Sequence, residues 1–404
     1  MKQFTIQRLG LHGDGITDGP IYAPLTLPDE EVTGVVDGDR LSDIRIVTPS
    51  ESRVKSPCQH FKVCGGCQLQ HASDDFVANW KVGVVQKALA AQSLDPNWKP
   101  ILTSPAASRR RAVFSAKRTK KGATVGFHAR ASNVVADIPK CILLDPKLVP
   151  AMGIVGELAR IGGSRKGELS ATVTASLGGL DIAVKGGKPL DGPLLSLLAQ
   201  ETERHKLARL AWEGEVVATR VPPYQKFGNA KVLPPPGAFL QATPQGESAL
   251  LEAVEAAISQ GDKGVDLFAG CGTFTLPLAQ RAQMHGVEGE RSMIKALDEG
   301  WRTAEGLKRV TSETRDLFRN PIIAQDLRYD FAVIDPPRAG AEAQVAELAQ
   351  SEIPEIAFVS CNPVTFARDA ATLVKSGYTL DWVQVVDQFR WSSHIELAAR
   401  FVRN

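Results

Sequence analysis

Residues 265–279 read "VDLFAGCGTFTLPLA". A short apolar run stops in glycines and a helical pattern begins at once, the signature of a strand handing over to a helix through a bare turn. Working outward, the same grammar repeats. "MHGVEG" is a strand and "ERSMIKALDEGWRTA" a helix; "YDFAVIDPP" and "EAQVAELAQ" follow as strand and helix, then "EIAFVSC" and "PVTFARDAATLVKSG". The last two strands, "LDWVQVVDQF" and "IELAARFV", have no helix between them. Alternation of this kind predicts a doubly wound α/β sheet closed by an antiparallel hairpin. The proline-rich "VLPPPGAFLQATP", 232–244, marks where this region starts.

Upstream the pattern is different. Residues 1–50 show short β segments broken by Gly, Pro and Asp, which suits a small barrel of the kind that often binds nucleic acid. A cysteine cluster follows at 58–67, then helical periodicity over 72–93 with Ser73 as N-cap, then a β-rich region from about 110 to 235. Three domains are therefore expected, at 1–52, 53–235 and 236–404, because 404 residues exceed one comfortable core. No apolar run reaches membrane-span length and the start lacks a signal-peptide core, so the expected address is the cytoplasm, with no membrane partner and reduced cysteines. The net charge of +2 is uneven: residues 1–235 hold 31 basic and 22 acidic residues, residues 236–404 hold 16 and 23. Residues 99–131 carry nine Lys/Arg and no acid, a density that suits a phosphate backbone, although such runs are commonly only solvated faces.

Three constellations carry chemistry. In the first, Glu288 closes the next strand sixteen residues past Gly272, where a carboxylate can bind ribose hydroxyls. The loop lacks the third glycine of a dinucleotide fingerprint, which fits S-adenosylmethionine better than NAD. In the second, "DPPR" at 335–338 and "SCNP" at 360–363 end successive strands, so Asp335 and Cys361 should open onto the crevice beside Gly270. Separately, Asp335 could be a helix cap and Cys361 a packed thiol. In the third, "CQHFKVCGGCQLQH", 58–71, sets Cys58, Cys64 and Cys67 close together, with Cys141 available as a fourth ligand. Four cysteines serve both zinc and [4Fe–4S] clusters, and spacing alone does not choose.

Taken together, "PCQHFKVCGGCQLQHAS", "FLQATP", "DLFAGCGTFTLPLA", "GVEG", "DPPRAG", "SCNP" and the terminal "HIE" resemble, in order and interval, the bacterial RNA uracil-5-methyltransferases of 23S ribosomal RNA or tRNA. The resemblance implies a Rossmann-like methyltransferase domain, a shortened TRAM-type RNA-binding barrel and a central domain carrying an iron–sulfur cluster. It implies Cys361 as nucleophile toward carbon 6 of uracil and Glu396 as the base that removes the carbon 5 proton. It places S-adenosylmethionine contacts at Gln241, Phe268, Thr273, Glu288, Asp316 and Asp335, and a [4Fe–4S] cluster on Cys58, Cys64, Cys67 and Cys141. Thr273 stands where several members carry Asn, and Asp316 follows the weakly patterned "SETRDLF". A looped-out uridine of 23S ribosomal RNA is the expected substrate and a monomer the expected state. The alternatives are the same reaction on tRNA, an RNA-binding cluster protein with an inactive methyltransferase fold, and an NAD oxidoreductase.

Overall fold

The computed structural model describes residues 2–403. Strands Lys2–Leu9, Gly15–Thr17, Tyr22–Ala23, Glu31–Asp37 and Arg40–Thr48 close into the expected small barrel. One end is plugged by Leu9 and Leu27, which pack on Leu69, Ala72 and Val77 beyond the barrel. Helix Asp74–Ala90 starts where Ser73 accepts the Phe76 N–H through its side chain, with Asp74 and Asp75 complementing the helix dipole. Its inner face buries Val85 and Leu89 in the core of the α/β half, beside helix Pro363–Lys375.

The central region holds a seven-stranded sheet ordered 215–219, 209–212, 179–185, 169–176, 111–118, 123–128, 135–137. Two helices, Ala151–Gly162 and Gly192–Arg204, pack on it, so the region is α+β where the sequence suggested mainly β. Trp212 and Phe114, both fully buried, fill the layer between.

The α/β sheet has eight strands in the order 310–314, 283–288, 263–267, 331–334, 355–360, 397–403, 378–387, 97–103. The first five are parallel, and Leu397–Arg403 inserts antiparallel between Glu355–Ser360 and Tyr378–Asp387. "FAVI" and "EIAFVS" are buried at every position, as strands covered on both faces must be. Strand Asn97–Thr103, from far upstream, completes the edge by pairing in parallel with Tyr378–Asp387. The helix read in "TFTLPLAQRA" is only the four-residue Thr275–Leu278, and "RVTSETRD" contributes the edge strand Val310–Thr314. No helix among the described residues is long and apolar enough to cross a membrane.

Candidate active site

Four neighbouring parallel strands end on one side of the sheet, and at their carboxyl ends stand Glu288, the Gly270 loop, Asp335 and Cys361. Cys361 escapes the packed run because the strand stops at Ser360 and Asn362 already caps the next helix, its Oδ1 accepting the Val364 N–H at 3.1 Å with Pro363 in the first turn. The thiol is half-buried and opens into a cavity of about 480 Å³. Glu396, Asp335, Gln241 and Glu288 line that same cavity. Phe268, Thr273 and Asp316 complete the wall. All eight expected positions therefore meet in one space.

The wall around the Gly270 loop is built from backbone. Gly270 and Gly272 have φ of +56° and +95°, and a Cβ on Gly272 would lie 2.8 Å from Leu276 Cδ1. Phe268 adopts φ +66°, a conformation uncommon for a bulky residue, and its ring tilts against Phe318 at 5.4 Å. Glu288 is held by two main-chain donors: Gly270 N–H at 3.1 Å to Oε2 and Glu290 N–H at 2.9 Å to Oε1. Asp316 is exposed, its Oδ1 accepting the Phe318 N–H at 3.0 Å, which sets Phe318 at the cavity wall.

Glu396 is 3% exposed, a buried carboxylate rather than a surface one, and it directly precedes the strand Leu397–Arg403, which is internal to the sheet. A chain of amides joins it to Asp335. Gln388 Oε1 accepts the Ala242 N–H at 2.6 Å, which fixes the amide orientation. Gln388 Nε2 then donates to Glu396 Oε2 at 3.0 Å and to Gln241 Oε1 at 2.5 Å, and Gln241 Nε2 reaches toward Asp335 Oδ2 at 3.4 Å. Burial pushes the Glu396 carboxyl up to about 7, against the lowering effect of Gln388 and Arg338. Burial, with Glu396 and Asp266 adding repulsion, raises Asp335 well above the usual carboxylate range. The Cys361 thiol is pushed up to about 11 by burial and by the Glu396 and Asp335 charges, with Arg338 opposing. In the free protein it is a thiol at neutral pH rather than a thiolate. His394 is pushed down to about 4 by burial and by Arg338, whose Nη2 donates to its Nδ1 at 2.7 Å. Arg338 and His394 lay inside the quoted motifs "DPPR" and "HIE"; Phe318 and Gln388 carried no local signal and were missed.

A second cavity, about 660 Å³, runs between the barrel residues Arg8–His12, the helix residues Trp80 and Lys87, and Val364. It shares Cys361, Arg338, His394 and Ile395 with the first. Cys361 therefore stands where two cavities meet.

Cys58, Cys64, Cys67 and Cys141 are free thiols around a single void of about 20 Å³ with mostly apolar walls such as Phe61, Phe127 and Ile138. A void of this kind offers few of the two to four polar partners that a buried water needs. Burial raises Cys64 and Cys141, and pushes Cys67 up to about 12. Among the described residues no set of three or more His, Cys, Asp or Glu forms a ready-made site for one metal ion.

Within the basic run, four side chains have partners in the protein itself. Arg110 is buried and pairs with Glu247 at 2.5 Å, and Arg111 donates to the Ala238 and Gly237 carbonyls. Lys117 pairs with Glu168 at 3.2 Å and Arg118 donates to the Gly163 carbonyl. Arg110 and Arg111 bind the central sheet to the α/β half, a task the forked guanidinium suits.

Residues 234–403 match the family model described as tRNA (Uracil-5-)-methyltransferase. The chain is 40% identical over 405 residues to an uncharacterised RNA methyltransferase of Rhizobium meliloti (strain 1021), covering 98% of each chain. It is 30% identical over 432 residues to the 23S rRNA (uracil(1939)-C(5))-methyltransferase RlmD of Shewanella sp. (strain ANA-3), covering 99% of this chain and 95% of that one. The Pyrococcus abyssi tRNA (uracil-54, C5)-methyltransferase, solved in complex with S-adenosyl-L-homocysteine, superposes with a TM-score of 0.78 at 21% identity, over 99% of this chain and 100% of that one, a likeness of fold.

Proposed function

This chain belongs to the RNA (uracil-5-)-methyltransferase family, and from that premise we propose that it methylates carbon 5 of one uridine in 23S ribosomal RNA through a covalent bond from Cys361. The observation that carries this reading is the position of Cys361 between two cavities. The cavity lined by Phe268, Glu288 and Phe318 suits S-adenosylmethionine: a carboxylate for ribose and aromatic rings for adenine. The other cavity, flanked by Arg8, His12, Lys87 and Trp80, suits a flipped base and its neighbouring phosphates.

In this reading Cys361 loses its proton to Asp335, in its ionised form, as the sulfur bonds to carbon 6; the uracil becomes an enolate and Glu396 stays unprotonated for the later step. Carbon 5 then attacks the methyl carbon of the sulfonium, whose carbon–sulfur bond breaks to leave S-adenosylhomocysteine. Glu396, held by Gln388, takes the carbon 5 proton; the electrons re-form the 5,6 double bond and expel the thiolate. A carboxyl raised to about 7 is poised to accept and release protons near neutrality. Gln241, Thr273, Asp316 and Asp335 complete the donor pocket in this assignment.

Cys58, Cys64, Cys67 and Cys141 fit a [4Fe–4S] cluster: four thiols surround one apolar void, and burial makes Cys64, Cys67 and Cys141 costly to ionise without a compensating cation. When bound, the cluster would cross-link the 58–67 loop to the central sheet. Ribosomal RNA is preferred because the full-length relative with a stated ribosomal substrate reaches 30% identity.

The test uses Glu396→Gln. Addition and methyl transfer precede proton removal, so this variant should accumulate a methylated protein–RNA adduct that survives denaturing gels, and Cys361→Ala should form none while still binding S-adenosylhomocysteine. Methylation of tRNA but not of 23S ribosomal RNA would overturn the substrate. Unimpaired turnover by Cys361→Ala would overturn the mechanism.

A further inference from the structure

The loop 388–396 joins strands Tyr378–Asp387 and Leu397–Arg403 and supplies Phe389, His394, Ile395 and Glu396 to the active-site cavity. Nine residues is long for a hairpin connection, and a loop of this length needs outside support to hold a base in place. The support comes from the cysteine segment. At the tip, Trp391 takes φ +61°, a left-handed conformation uncommon for so bulky a residue. That ring is 7% exposed and packs with Phe61, Cys67 and Leu143, inside the apolar group that includes Cys58 and Cys141. Its carbonyl accepts two N–H bonds, from Gln68 at 2.8 Å and Leu69 at 2.9 Å. Those are the two residues that follow Cys67 in the chain. The guanidinium of Arg390 lies over the Trp391 ring at 4.9 Å and pairs with Asp74 at 2.5 Å.

We infer that Trp391 is a positioning residue that clasps the active-site loop to the four-cysteine centre, so that the state of that centre sets the order of the loop carrying Glu396. The argument is mechanical. Cys67 bound to a rigid group fixes the backbone that follows it. Gln68 and Leu69 then present two parallel donors to one carbonyl, and the buried indole prevents the tip from swinging out. With the cysteines unbound, the ring rests against a void and a mobile thiol, and the two N–H bonds lose their anchor. Cys361 stands between the separate strand Glu355–Ser360 and the Asn362 helix cap, so its addition step does not depend on the clasp. The inference rests on the proposed role of Glu396 only for its kinetic consequence, since loop order is measured without chemistry.

Hydrogen exchange read by mass spectrometry on the whole protein tests it. Cys141→Ser, which opens the centre from the central sheet side, and Trp391→Ala should each raise exchange in the peptide spanning 388–396 at least tenfold. The strand Lys263–Leu267 should keep its wild-type protection in both. Trp391→Phe, which retains a buried ring and the same carbonyl, should restore most of the protection. In single turnover, Trp391→Ala should form the covalent adduct at a near wild-type rate and resolve it about tenfold more slowly. Unchanged loop exchange in Cys141→Ser or Trp391→Ala overturns the clasp. Raised exchange with adduct resolution at the wild-type rate supports the clasp and refutes Glu396 as the base.

Discussion

Lys81 sits in the middle of helix Asp74–Ala90 with a fully buried side chain, and its Nζ donates to Asp387 Oδ1 at 2.6 Å and to the Phe389 carbonyl at 3.1 Å. Asp387 is equally enclosed, with its side chain 2% exposed, and among the described residues its carboxylate accepts one other hydrogen bond, from the Phe389 N–H at 3.0 Å. Lys81→Met preserves length and helix propensity but removes the cation. It leaves a carboxylate at the end of the last long strand with one hydrogen bond and no counter-charge. Breaking one side of a buried pair costs about 3–5 kcal/mol, and the surviving Phe389 N–H bond places this site near 3. For a cooperative unit of roughly 200 residues that corresponds to a melting point lower by roughly 6–12 °C. Asp387→Asn in the same chain keeps an acceptor for Phe389 and removes the stranded charge. The double variant should therefore recover most of the loss, with a coupling energy of about 2 kcal/mol in the cycle. Calorimetry on the four proteins measures it. A single variant that melts within about 1 °C of wild type, or a double no more stable than Lys81→Met, would refute the reasoning.

Other expectations are more local. Alkylation of Cys361 by iodoacetamide should be slow at pH 7 and rise toward about 11, because burial and two carboxylates disfavour the thiolate. Glu396→Gln removes one repelling charge, so its alkylation curve should move to lower pH; a curve moved upward or not at all contradicts the stated cause. Adduct resolution should rise with pH through about 7 as Glu396 ionises, and a flat profile from pH 5 to 8 would assign the base elsewhere. Charge removal at Lys117 and Arg118 should leave the salt dependence of RNA binding nearly unchanged, since both already have partners in the protein, whereas charge removal at Arg8 and Lys87 should flatten it. Protein prepared without oxygen should be brown, with about four irons and four sulfides per chain; stoichiometric zinc without sulfide would replace the cluster assignment.

The α/β half was legible because its strands are continuous apolar runs that stop at Gly, Pro or Asp, and such stops put side chains at the carboxyl ends of the sheet. "EIAFVSC" followed by Asn-Pro places Cys361 at a strand's carboxyl end. Strand Asn97–Thr103 was illegible for the opposite reason: it is an edge strand containing Pro100, with no residue buried and no alternation to read. Arg110 and Arg111 misled because a count of charges does not see Gln241, Glu247 or Ala238, more than 120 positions away. Gln388 belonged to no recognisable pattern. Its role comes from a backbone N–H on Ala242 that orients its amide, a relation that exists only once the chain is folded.

That same edge strand has a consequence for how the molecule is made. Asn97 and Asp381, joined by a hydrogen bond of 3.0 Å, are separated by 284 residues. On the ribosome Asn97–Thr103 emerges long before its partner exists, and it must wait without a sheet to join. Proline at its centre and an unpatterned surface suit that wait, since they discourage pairing with other nascent chains. The reverse holds for a fragment beginning near residue 236: it would fold with Tyr378–Asp387 as a bare ten-residue edge. Such a piece, though it contains every residue assigned to the chemistry, should self-associate rather than work alone, and the upstream half would then serve as its chaperone in the same polypeptide.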